Sequence, residues 1–62
     1  MIWTIYHNNH AIGQARTWHK ALDNLIKSER INSVALTRII KGYYQVVTGD
    51  NIFYQIKLED LK

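Results

Sequence analysis

No cysteine occurs among these 62 residues, and that constrains the fold more than any residue present. Without thiols there is neither a disulfide nor a thiolate zinc site to staple a chain near the lower size limit of an independent domain. Apolar packing must therefore hold together one domain over residues 1–62. The 47% hydrophobic content, with two Trp, four Tyr and one Phe, is sufficient for that. The absence of proline and a count of only three glycines argue against a disordered or low-complexity chain. No apolar run approaches the ~20 residues of a membrane span, and the first residues lack a secretory-signal pattern. An intracellular protein without membrane contact is the expectation.

Hydrophobic periodicity divides the chain. Met1–His7 alternates as a strand, with Ile2, Thr4 and Tyr6 on one face and Trp3, Ile5 and His7 on the other. Asn8-Asn9 is a turn signal, because asparagine tolerates positive φ. His10–Gln14 reads as a short returning strand or as the lead into a helix. From Gln14 to Ser28, Ala15, Trp18, Ala21, Leu22, Leu25 and Ile26 make one stripe, opposite Arg16, His19, Lys20, Asp23 and Lys27. Thr17 as N-cap starts this helix later and leaves residues 11–15 to the strand, the preferred reading. Ser33 to Gly42 reads as a second helix. Ser33 caps it, Gly42 ends it, and Ala35, Leu36, Ile39 and Ile40 form its apolar face. Tyr43–Thr48 and Ile52–Leu58 are strand-like runs around the turn Gly49-Asp50-Asn51, and residues 58–62 form a polar end expected to fray. The expected architecture is α+β in the order β-β-α-α-β-β: an N-terminal strand or hairpin, a two-helix unit and a C-terminal hairpin. Trp18, Leu22, Leu25, Leu36 and Ile40 would share its core.

No constellation for catalysis stands out. His7 and His10 flank a turn but have no thiolate or carboxylate nearby to complete a metal site. His19 falls on the polar side of the first helix, and Asp23 sits at ion-pair spacing from Lys20 and Lys27. Neither a phosphate-binding GxxxxGK[ST] loop nor a GxGxxG turn occurs. The expectation is a non-enzymatic protein without cofactor or metal.

The charge carries more information. The chain has a formal charge of +3, yet residues 14–44 hold six cations against two acids, a net of +4. On a helix over 33–42, Val34, Thr37, Arg38 and Lys41 would face outward with the chemistry of a DNA major groove: cations for phosphate or guanine, methyls for thymine. Arg16, Lys20 and Lys27 on the first helix and Arg30 after it would contact phosphates. Tyr43 and Tyr44 must face opposite sides in a strand, so one of them, taken as Tyr44, is left to stack on a base or bond a phosphate.

Several segments resemble the nuclease-associated modular domains, small units appended to homing endonucleases and found in phage proteins. The matching residues are Ile5-Tyr6, Asn8-Asn9, Ile12-Gly13, Thr17 and Ala21. A second run follows, comprising Ser33, Leu36, Thr37, Arg38, Ile39, Ile40, Lys41 and Gly42, and then Gly49 and Phe53. The resemblance spans roughly residues 4–54. It implies a helix-turn-helix with the second helix as recognition helix, duplex DNA as partner, and a regulatory phage protein in a host cytoplasm. Specific binding by so few cations would call for a homodimer. The alternative reading is a protein-interaction module or inhibitor, acting through exposed aromatics and a sheet edge offered by the strands at 1–7 and 52–58.

Overall fold

Asn8 and Asn9 both adopt left-handed φ, 51° and 66°, the signature of a two-residue hairpin turn. They join β1 (Ile2–His7) to β2 (His10–Ala15) in a structure, a computed structural model, that describes residues 1–60. Thr17 then caps α1 (Trp18–Ser28), its hydroxyl accepting the Lys20 N–H at 3.1 Å. At the other end Arg30 turns left-handed (φ 52°) and the Ile31 N–H returns to the Ile26 carbonyl at 3.0 Å. This six-to-one bond closes the helix with Arg30 where a glycine is usual.

The expected second helix does not form. Val34–Ile40 is a strand, β3, and it is joined by the turn at Lys41-Gly42 to β4 (Tyr43–Thr48), with β5 (Phe53–Glu59) following. Four of the seven residues of β3, Val34, Thr37, Ile39 and Ile40, are β-branched and favour the extended chain. Gly42 does take positive φ (82°), but at the second central position of a hairpin turn instead of past a helix end. The same backbone requirement serves both structures. What decides is β4, which pairs with β3 from Val34↔Thr48 to Ile40↔Tyr43. Among the described residues the order is therefore β-β-α-β-β-β, a mostly β fold with one short helix, with neither a two-helix unit nor a helix-turn-helix.

The five strands form one antiparallel sheet in the order β2-β1-β5-β4-β3. The strands at 1–7 and 52–58, expected to offer an edge, pair with each other in the middle (Ile5↔Ile56), and β2 and β3 are the edges. β5 continues to Glu59; Leu61 and Lys62, part of the expected frayed end, lie outside the described residues. Helix α1 lies over β2, β1 and β5. Between helix and sheet are Ile5, Ala15, Ala21, Leu25, Val46, Tyr54 and Ile56, with Trp3, Trp18, Leu22, Ile31 and Val34 packed around them. Of the five residues expected to share a core, Leu25 is fully buried and Trp18 and Leu22 pack at its margin. Leu36 and Ile40 are instead 42% and 63% exposed, because they lie on the edge strand farthest from the helix.

Candidate functional site

The free side of β3 follows from the hydrogen-bond parity of its neighbours. Antiparallel partners alternate between pairs that exchange both backbone bonds and pairs that exchange none. The Thr48 N–H goes to the Ile52 carbonyl at 3.0 Å, toward β5, and so is not available to Val34 opposite it. The Gly49 N–H donates to the Ser33 carbonyl at 3.1 Å, which fixes the same alternation from the other side. Ala35 and Thr37 consequently bond to β4, while Val34, Leu36 and Arg38 aim their main-chain N–H and C=O groups at solvent along the edge.

Side chains sort by the same period. Leu36 and Arg38 stand opposite Val46 and Tyr44 on the helix side, beyond the reach of α1. Ala35 and Thr37 face the other way, opposite Val47 and Gln45. A bulge falls between Arg38 and Ile40, leaving Ile39 without a partner across the ladder. Ile39 is 47% exposed, so this edge strand displays three large apolar side chains, Leu36, Ile39 and Ile40.

The residues read as a DNA surface are dispersed by this arrangement. Thr37 and Arg38 project from opposite faces of the sheet, Val34 is half-buried beside the core, and Lys41 sits in the β3–β4 turn. Arg16 lies in the bend before α1, and Lys20 and Lys27 are exposed on the helix, Lys27 in an ion pair with Asp23 at 3.0 Å. Arg30 lines a cleft of about 300 Å³ with Glu29, Ser33 and Asp50. Tyr44 is not a free ring: it packs 5.1 Å from Trp18 and 6.0 Å from Trp3. Arg38 and Lys41 fall at one end of β3, Arg38 on the strand and Lys41 in the turn that follows it. The exposed Leu36, Ile39 and Ile40 were not read as surface residues; the β-branched run and the Lys41-Gly42 turn before Tyr43 were the available signals.

On the face away from the helix, Lys57 Nζ lies 5.1 Å from the Tyr6 ring centre and 5.0 Å from that of Tyr43, a cation held between two aromatic faces. The Tyr6 hydroxyl donates to both Glu59 carboxylate oxygens at 2.8 and 2.7 Å. That hydrogen bond, followed by desolvation and the Glu59 charge, raises the phenol above its ordinary value. Tyr54 is also raised, first by burial and then by the charge and hydrogen bond of Glu29, whose carboxylate accepts its hydroxyl at 3.2 Å. With one cation and one acid at its centre, this face offers no track for phosphates. His7 places Nδ1 3.1 Å from the Phe53 carbonyl, which can accept its proton, and Nε2 3.4 Å from Asn8 Nδ2. Among the described residues no three His, Asp or Glu side chains gather to hold a metal, and no helix is long and apolar enough to cross a membrane.

No protein-family model, curated protein or solved structure matches the chain.

Proposed function

We propose that this chain is a protein-interaction module that recruits an extended segment of its partner as a sixth strand beside β3. The observation that carries this reading is an edge strand of seven residues whose outward N–H and C=O groups have no neighbouring strand among the described residues, with Leu36, Ile39 and Ile40 exposed along it. Sheet edges of this kind invite pairing and are usually blunted by proline, several charges or a covering element. β3 has no proline, one charged residue and no helix over it. An added strand gains main-chain hydrogen bonds from Val34, Leu36 and Arg38, and alternate side chains land beside Leu36 on the helix side.

Amide hydrogen exchange after peptide selection tests it. A displayed library of random twelve-residue peptides is selected on the wild type alone, and the survivors are then titrated against Leu36→Pro, which removes one outward N–H and leaves the bonds to β4 intact. In the free protein the Leu36 and Arg38 amides should exchange quickly and those of Ala35 and Thr37 slowly. Bound peptide should protect Leu36 and Arg38. Selected peptides that bind Leu36→Pro equally well, or that protect amides elsewhere only, refute the reading.

A further inference from the structure

The two ends of the β3 edge differ in charge. At its start the cleft beside Ser33 holds both signs, with Glu29, Asp50 and Arg30 in its wall. At its end lie Arg38, on the strand, and Lys41, in the turn, both exposed. The ion pair formed among the described residues is Lys27–Asp23, on the helix, so neither of these two cations is in direct ion-pair contact with a described carboxylate. Arg38 also has its main-chain N–H and C=O on the open edge and its side chain on the helix side, next to Leu36 in the same row. A strand added here therefore meets, in one row, a methyl-rich position and then a guanidinium without a direct counter-charge among the described residues.

A second copy of the chain supplies a weaker counter-charge, because the cleft it would bring there carries Arg30 beside Glu29 and Asp50. Pairing β3 with itself about Leu36 sets Arg38 opposite Val34 of the other copy, and pairing about Arg38 sets two guanidinium groups face to face. Both copies also carry +3. Nucleic acid supplies the charge but not the amide ladder that the edge requires. Resting on the strand-recruitment reading, we infer that the occupant of the β3 edge is an extended acidic peptide segment of another protein. It places an apolar side chain beside Leu36 and, two residues along, a carboxylate against Arg38, with Lys41 adding to the attraction. Arg38 sets the preference for the acidic segment because a planar guanidinium pairs bidentately with a carboxylate.

Three nine-residue peptides, acetylated and amidated, serve as probes: threonine at every odd position for the far face, and on the face toward Leu36 and Arg38 valine alternating with glutamate (Thr-Val-Thr-Glu-Thr-Val-Thr-Glu-Thr), with glutamine or with lysine. Titration with amide exchange as readout should show the glutamate peptide binding about tenfold more tightly than the glutamine peptide at low salt, with the gap narrowing as salt is added. The lysine peptide should not bind. Arg38→Gln should abolish the gap between glutamate and glutamine peptides while keeping their common weak binding, and Arg38→Glu should transfer the preference to the lysine peptide. Both variants should fold, since the side chain is exposed. If glutamate and glutamine peptides bind the wild type alike and both protect Leu36, the acidic preference is wrong and strand recruitment stands. If no peptide protects Leu36 and Arg38, both fail. If these amides become protected without peptide as protein concentration rises, the occupant is a second copy and the inference is overturned.

Discussion

A side chain at position 49 would displace a neighbour: a Cβ built on Gly49 meets Ser33 Oγ at 2.5 Å, so the serine hydroxyl must rotate away. The two residues are bound by the Gly49 N–H to Ser33 carbonyl bond, so the loop after α1 and the β4–β5 turn cannot drift apart to relieve the contact. Gly49→Ala should destabilise the protein by about 1 kcal/mol. In a Ser33→Ala background the obstructing oxygen is gone, and the same change should be neutral or slightly stabilising, since alanine lowers the entropy of the unfolded chain. Urea midpoints of the four proteins measure this; an equal penalty in both backgrounds would show that the close approach is not its cause. None of this was legible from the sequence, where Gly49 reads only as turn punctuation and Ser33 as a helix cap. Asn8-Asn9 and Thr17 were legible, because a positive φ at asparagine and a capping hydroxyl are local requirements that neighbours in the fold need not supply. Trp18 shows the opposite limit: its indole N–H is buried without a hydrogen-bond partner, a consequence of packing against Tyr44 that no local pattern encodes.

The helix and the third strand mark where periodicity decides and where it does not. Over residues 18–28 the polar and apolar stripes are eleven residues long and consistent with one period only, and α1 forms as read. Over 33–42 the apolar residues fit a helical face, yet four β-branched residues and a glycine turn fit a strand equally well, and the ladder to β4 resolves the ambiguity. The consequence for stability is a reversal of the expected ranking. Leu25, with none of its surface exposed, should cost ~2–5 kcal/mol on truncation to alanine. Leu36→Ala, on the open edge, should cost less than about 1 kcal/mol. Thermal unfolding of the two variants decides: a Leu36→Ala penalty as large as that of Leu25→Ala would place residues 33–42 back in the core as a helix. The candidate site depends on the same correction, because Val34, Thr37, Arg38 and Lys41 share one surface only if the segment is helical.

Across the whole sheet, β5 is the central strand, and one of its two ladders is with β1, Ile2 opposite Glu59 and Tyr6 opposite Gln55. This ladder joins segments from opposite ends of the described chain, and its non-local character explains why reading the chain as consecutive hairpins misplaced the edges. The hairpins β1–β2 and β4–β5 were visible from their turn residues; β3–β4 was not, because Lys41-Gly42 read as the end of a helix, and neither was the docking of β1 on β5, since no residue pattern states which strand a remote strand will meet. Pairing across this distance also has a kinetic meaning. The two hairpin units can form early, but the centre of the sheet closes only after a loop of about fifty residues has been brought together, an entropic cost met before the contacts that offset it.

Because Ile2 and Glu59 lie side by side, the chain could be rewired without moving a strand. A short glycine-serine bridge from the end of β5 to the start of β1, with new termini cut between Asn8 and Asn9, would turn the most distant ladder into a hairpin and the nearest hairpin into an open gap. Such a circular permutant should keep the same sheet, fold faster than the parent and unfold at a similar rate, measurable by stopped-flow tryptophan fluorescence. A permutant that folds no faster would mean that closure of the centre is not the slow event. The order of the strands in space would then have been reached by a route that does not wait for the two ends to meet.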